Sequence, residues 1–93
     1  MKIGVVMGSD SDFDVVKKSL KVLKEFDVKA EVRVLSAHRT SDEAIEFAKT
    51  AHENGMDLLI AAAGKAAHLP GVLAAVTNLP VIGLPVKSST MDG

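Results

Sequence analysis

The residues able to do chemistry in this chain fall in three short stretches. Gly8-Ser9-Asp10-Ser11-Asp12 offers two hydroxyls and two carboxylates. Ser36-Ala37-His38-Arg39 joins an imidazole to a guanidinium. Ala63-Gly64-Lys65-Ala66-Ala67-His68-Leu69-Pro70-Gly71 sets a second imidazole among small residues. Imidazole changes its charge near neutral pH, so His38 and His68 are the candidates for proton transfer. Arg39 carries a planar fork of donors suited to phosphate. Ser9 and Ser11 can donate to the same phosphate; Asp10 and Asp12 repel it, so at least one should face sugar hydroxyls or an amine. Each stretch also has a purely structural reading. Serines and aspartates cap helices, an exposed arginine forms a weak surface ion pair, and small residues allow a strand to pack closely on a helix. His52 has no chemical company and reads as a surface residue. A metal site from Asp10, Asp12, His38 and His68 lacks any supporting ligand spacing, so no metal is expected.

The elements that must position these stretches follow from periodicity. Residues 3–7 are a continuous apolar run, read as a buried strand, and the serine–aspartate turn leads into a helix with Phe13, Val16, Leu20 and Leu23 on its buried face. Val28, Ala30, Val32 and Val34 alternate with charged residues, which predicts a half-exposed strand at 29–35 on the sheet edge. Thr40 and Glu43 form a capping box for a second helix, with Ala44, Phe47, Ala48 and Ala51 inward and Asn54-Gly55 at its end. A third strand is expected at 57–62, a third helix from Pro70 to about Val76, and a fourth strand at 81–84 between two prolines. Alternating strands and helices at this spacing imply right-handed crossovers and a parallel sheet in three α/β/α layers. The half-polar second strand at an edge favours the flavodoxin-like order 2-1-3-4. Ligands in such sheets bind beyond the carboxyl ends of the strands, at the switch point between strands 1 and 3. All three chemical stretches are loops at that end.

Composition sets the outer bounds. The 93 residues include no cysteine, tryptophan or tyrosine, 47% are hydrophobic, and the formal charge is −1. One domain covering residues 1–93 is expected, with a modest core. The charge gives no electrostatic case for nucleic acid or an anionic membrane. Disulfides and thiol catalysis are excluded, and no apolar run approaches a membrane span. A cytoplasmic setting is the expectation.

In order and spacing, the motifs Gly8-Ser9-Asp10-Ser11-Asp12, Ser36-Ala37-His38-Arg39-Thr40 and Gly64-Lys65-Ala66-Ala67-His68-Leu69-Pro70-Gly71 closely resemble those of the PurE family, and the likeness extends through Pro80-Val81-Ile82-Gly83-Leu84-Pro85-Val86. Bacterial members are N5-carboxyaminoimidazole ribonucleotide mutases of purine biosynthesis. The resemblance implies transfer of a carboxylate from the exocyclic nitrogen to ring C4, an isomerase-class reaction, without ATP, metal or organic cofactor. It implies that Ser9, Asp12 and Arg39 contact phosphate and ribose, with Gly8, Ser11 and Ser36 in the same binding set. His38 matches the general acid/base. Ala63, Gly64, Lys65, Ala67, His68 and Leu69 match the wall of the carboxylate and CO2 pocket. It also implies a homo-oligomer, an octamer in full-length members.

Three readings stay open beside the mutase. One is the branch that carboxylates aminoimidazole ribonucleotide with CO2 directly. Another is an inactive nucleotide-binding module of the same topology. The third is a receiver or flavin domain, which lacks support here: the third strand ends in Ala62-Ala63-Gly64 rather than an acid, and no tryptophan or tyrosine is present for flavin stacking. Three departures from the family pattern stand out: Ala62 and Lys65 where many members have glycine, and Thr40-Ser41 in place of Thr-Pro. Family members also continue well beyond this length, so a truncated chain is expected.

Overall fold

The computed structural model describes residues 1–36, 41–64 and 68–86. In chain order they form β1 (Lys2–Met7), a 3-10 turn (Asp10–Asp12), α1 (Phe13–Glu25), β2 (Lys29–Val34), α2 (Ser41–Thr50), β3 (Leu58–Gly64), α3 (His68–Ala74) and β4 (Val81–Val86). The four strands make one parallel sheet in the order β2-β1-β3-β4, as the alternation of the sequence predicts. β1 and β3 are central, which explains why both are nearly unbroken apolar runs.

Successive side chains of β1 point to opposite faces, so Val5 and Val6 serve different cores. Val5, Ile3 and Met7 pack with Val16 of α1 and Ala62 of β3. Val6 joins Ala44 and Ala48 of α2, Leu69 and Leu73 of α3, and Leu59 and Ala61 of β3. The three layers are therefore α1, the sheet, then α2 with α3. Gly4 makes the second core possible. A Cβ there would lie 2.7 Å from both Leu59 Cδ2 and Met56 Sδ and 3.2 Å from the Phe47 ring. The missing side chain is the space those three residues fill.

The amino end of the sheet is tied by Lys2. Its backbone N–H donates to Asp57 Oδ2 at 3.0 Å, and its Nζ donates to the Asn54 carbonyl at 3.0 Å and pairs with Glu31 at 3.2 Å. One residue thus links β1 to β2 and to the turn that enters β3.

Several boundaries differ from expectation. α3 begins at His68 rather than Pro70, which puts the proline third in the helix. The first four N–H groups of a helix lack intrahelical partners, so Pro70 is tolerated there as readily as at the first position. β4 runs on through Pro85 to Val86. The Leu59 N–H donates to the Pro80 carbonyl, which in a parallel ladder turns residues 82, 84 and 86 toward β3 and residues 81, 83 and 85 toward the open edge. Pro85 therefore removes a donor that no strand uses. Regular α2 stops at Thr50, whose hydroxyl bonds back to the Glu46 carbonyl at 2.9 Å, and turns carry the chain to Gly55 at φ +86°. On β2 only Val28, just before the strand, and Val32 reach the core; Ala30 and Val34 are exposed. Phe13, expected inward, is 44% exposed and joins neither core.

Crowding at Gly4 gives a direct test. Gly4→Val should lower unfolding stability by on the order of 2 kcal/mol, the scale of overpacking a well-filled core. Denaturant titration measures it, and an unchanged midpoint would mean that the α2 side of the core is loosely filled.

Candidate functional site

Two hydrogen bonds carry the sheet pairing past the strand ends and fix where the loops begin. The Gly8 N–H donates to the Ala62 carbonyl at 3.2 Å, and the Leu35 N–H donates to the Met7 carbonyl at 2.8 Å. Residues 8–12, Ser36 and the end of β3 therefore leave the sheet side by side at its carboxyl edge. The 3-10 turn also contacts β3. This is the crevice that the strand order predicts.

In the first loop, Ser9 caps the 3-10 turn. Its Oγ accepts from the Ser11 N–H at 3.2 Å and lies 2.9 Å from Ser11 Oγ. The capping reading thus holds for Ser9, and the two hydroxyls are already paired with each other at the exposed mouth of the loop. Asp12 is placed differently. It occupies the N-cap position of α1, its N–H donates to the Ser9 carbonyl at 3.0 Å, and its carboxylate makes no capping hydrogen bond. Asp12 is half-buried beside the helix N-terminus, whereas Asp10 is exposed. Gly8 has open space above it, since a Cβ there would meet no atom within 4 Å.

Ser36 is half-buried directly after buried Leu35, at the neighbouring strand end. His38 and Arg39 lie outside the described residues, as do Lys65 and Ala67, so the assignments made to them rest on sequence. Ala63 and Gly64 are the last residues of β3 rather than part of a loop. Gly64 has a structural reason for its size, because a Cβ would sit 3.3 Å from the Val86 carbonyl of β4. His68 is exposed in the first turn of α3. Leu69 is buried in the core with Leu73, so only its backbone is left to face a ligand. The arrangement brings Gly8, Ser9, Ser11, Asp12, Ser36, Ala63 and Gly64 to one edge. Phe13, inward by its helical spacing, instead has an exposed ring directly after Asp12; spacing gives direction around the helix axis and not what lies opposite. Among the described residues, no group of three or more His, Asp or Glu side chains is arranged to hold a metal ion, and no helix is long and apolar enough to cross a membrane.

Comparison with known proteins adds an independent line. A family profile described as AIR carboxylase matches residues 2–93. The N5-carboxyaminoimidazole ribonucleotide mutase of Pyrococcus abyssi is 55% identical over 92 residues, covering 99% of this chain and 53% of the relative. The phosphoribosylaminoimidazole carboxylase of Schizosaccharomyces pombe is 53% identical over 91 residues, which are 98% of this chain and 16% of that protein. A crystal structure of Treponema denticola PurE superposes with a TM-score of 0.85 at 26% identity, covering 99% of this chain and 59% of that one. The chain spans about half the length of the mutases it matches.

The open space over Gly8 separates binding from folding. Gly8→Val should leave stability within about 1 kcal/mol, because the new side chain meets no neighbour. It should weaken binding of a ribonucleoside monophosphate at least about tenfold if a ligand occupies that space, a difference of roughly 1.4 kcal/mol. Calorimetry and thermal unfolding on the same variant distinguish the two effects; equal affinity would place the ligand elsewhere.

Proposed function

The chain belongs to the AIR carboxylase family, and on that premise we propose that it carries the nucleotide-binding and proton-transfer loops of an N5-carboxyaminoimidazole ribonucleotide mutase of purine biosynthesis. The observation that carries this reading is the convergence of the first and third motifs and Ser36 at the switch point of the sheet, through the Gly8–Ala62 and Leu35–Met7 hydrogen bonds. Identities of 52 to 55% to mutases from Pyrococcus abyssi and Thermotoga maritima support the same substrate.

In this proposal Arg39 grips the phosphate, the Ser9–Ser11 pair donates to it, and Asp12 accepts from the ribose hydroxyls. His38 carries the proton. The carbamate C–N bond breaks when His38 protonates the exocyclic nitrogen, releasing CO2 and the free amine. Ring C4, enamine-like, then attacks the retained CO2 to form the new C–C bond. His38, now neutral, removes the C4 proton and restores the aromatic ring, so the proton borrowed is returned. The chain's remaining task is to hold CO2 and exclude water, which favours small apolar residues at the end of β3. No metal, ATP or organic cofactor enters this scheme. As the mutase reading implies, the reaction is an isomerisation, and a homo-oligomer in the cytoplasm is its proposed setting.

A second reading has one specific observation behind it. The fission-yeast carboxylase is as similar to this chain as the mutases are. Comparing initial rates from the N5-carboxylated nucleotide in CO2-depleted buffer with those from aminoimidazole ribonucleotide and CO2 decides between them, because the mutase is faster on the first and the carboxylase makes C4-carboxylated product only from the second.

Two substitutions test the roles. Arg39→Leu should weaken ribonucleotide binding by about 2 kcal/mol or more, the scale of a lost charge-assisted contact. Unchanged affinity would make Arg39 a surface residue. In a full-length homologue, the substitution equivalent to His38→Asn should retain ribonucleotide binding and lose turnover by about two to four orders of magnitude. The assay follows both nucleotides and released CO2. Normal turnover would hand proton transfer to His68 or to the substrate itself.

A further inference from the structure

One motif of the sequence takes no part in the crevice. Asn54-Gly55 closes the turns after α2, at the amino end of the sheet, and both residues are exposed. An asparagine followed by glycine can modify itself. The Gly55 backbone nitrogen attacks the Asn54 side-chain carbon Cγ, the Cγ–Nδ2 bond breaks, and ammonia leaves as a five-membered succinimide forms. Water then opens the ring at one carbonyl or the other, giving aspartate or isoaspartate. The sum is one water consumed and one ammonia released, with no oxidant or cofactor. Glycine favours the attack because it puts no Cβ beside the nitrogen. The one other asparagine, Asn78, is also exposed but precedes Leu79.

In the folded chain the reacting peptide is pinned from both sides. The Gly55 N–H, the nucleophile, donates to the His52 carbonyl at 3.0 Å, which closes a turn with Asn54 at its third position and at negative φ. Such a type I turn leaves Gly55 N nearly eclipsed with Asn54 N about the Cα–C bond, whereas ring closure needs it beside Cβ. The Asn54 carbonyl, on the same peptide unit, accepts from Lys2 Nζ at 3.0 Å. Rotation about that Cα–C bond carries the planar peptide's oxygen and nitrogen together, so the attack requires both hydrogen bonds to break. The side-chain amide is held far less, by one long bond of 3.4 Å from Nδ2 to Thr50 Oγ1. Of these restraints only Lys2 comes from outside the turn. It reaches Asn54 from 52 residues away, and the same ammonium pairs with Glu31 at 3.2 Å.

We propose that Asn54–Gly55 is a self-modification site that the Lys2 ammonium holds closed, so that its conversion to aspartate or isoaspartate records local opening of this corner rather than unfolding of the chain. Opening an exposed turn takes far less free energy than global unfolding. The consequences run inward. Gly55 leads directly to Met56, whose N–H donates to the Ala51 carbonyl at 3.0 Å and whose side chain is buried beside Gly4. Isoaspartate lengthens the backbone by a carbon atom at this point. Either product adds a carboxylate to a corner where Lys2 already contacts those of Glu31 and Asp57. The nucleotide loops leave from the opposite edge of the sheet, so the proposal does not depend on the ribonucleotide reading.

The test incubates the whole chain in mildly alkaline buffer and follows it by peptide mapping, which reads the exchange of NH2 for OH at Asn54 and Asn78 separately and resolves isoaspartate from aspartate. In urea, Asn54 should convert much faster than Asn78, and Lys2→Met should make no difference. Under native conditions the wild-type chain should convert slowly at Asn54, and Lys2→Met at least about fivefold faster, the scale of losing a hydrogen bond to a charged group at an exposed site. Val16→Ala separates this gate from general loosening. It thins the core beneath α1 without touching the Lys2 corner, so it should lower Tm yet leave Asn54 conversion slow. Thermal unfolding of each variant supplies that comparison. An Asn54 that converts no faster than Asn78 in urea overturns the chemistry. Native Lys2→Met that converts no faster than wild type overturns the gate. So does Val16→Ala converting as fast as Lys2→Met, because conversion would then follow global unfolding.

Discussion

The structure depends on β1 being paired on both sides. A strand hydrogen-bonded to β2 and β3 at once has every backbone group committed, and the ladder runs beyond its end through the Gly8–Ala62 and Leu35–Met7 bonds. Because all the strands are parallel, every connection must cross back over a face of the sheet, and the segment that enters each helix leaves from the carboxyl edge. Placing three chemical loops together therefore needs no contact among the loops themselves. It follows from strand direction and from which strand is central.

The same constraint explains what the core can and cannot be. A buried parallel strand must satisfy two faces with residues that alternate, and β1 does so with Ile3, Val5 and Met7 on one side and Gly4 and Val6 on the other. Glycine at the second position of that alternation brings α2 close enough for Phe47 and Met56 to share the space a side chain would fill. Phe47 then serves two surfaces, its ring approaching Gly4 on the inside and supporting the Arg33 guanidinium on the outside.

Much of this was legible in the sequence because parallel α/β architecture writes itself as apolar runs at regular spacing. The strand order followed from one clue, the polar alternation of residues 28–34, and β2 is indeed an edge strand. The failures share a cause. Phe13 fits the helical period, yet period describes direction around a helix axis and is silent on whether anything lies opposite. The third stretch is small on either reading, ligand approach or close packing, and at Gly64 only the structure shows the packing, with the Val86 carbonyl of β4 3.3 Å from where a Cβ would be. Leu69 sits inside a motif yet packs in the core. Pro85 resembles a strand terminator only until the ladder phase is known, and the phase is set by β3. Each error concerns a neighbour distant in sequence, which local pattern does not encode.

The first loop shows how a fold can reserve one group while consuming others. Residues 8–12 hold four polar side chains in succession, and local hydrogen bonding engages two of them: Ser9 and Ser11 share one hydroxyl hydrogen bond and Ser9 Oγ caps the 3-10 turn, which leaves one hydroxyl hydrogen of the pair to donate outward. That turn advances the chain so that Asp12 arrives at the N-cap of α1 with its own N–H already donated backward to Ser9. The backbone conformation at Asp12 is helical, φ −80° and ψ −8°, rather than the extended one from which a capping side chain folds back onto the next turn. Its carboxylate is thereby kept from the usual role of an aspartate at that position. A carboxylate held at the start of α1, on the loop that leaves central β1 and making no capping hydrogen bond with the helix behind it, stays available to hydroxyl or amine donors at the carboxyl edge of the sheet, which is the role proposed for Asp12 above.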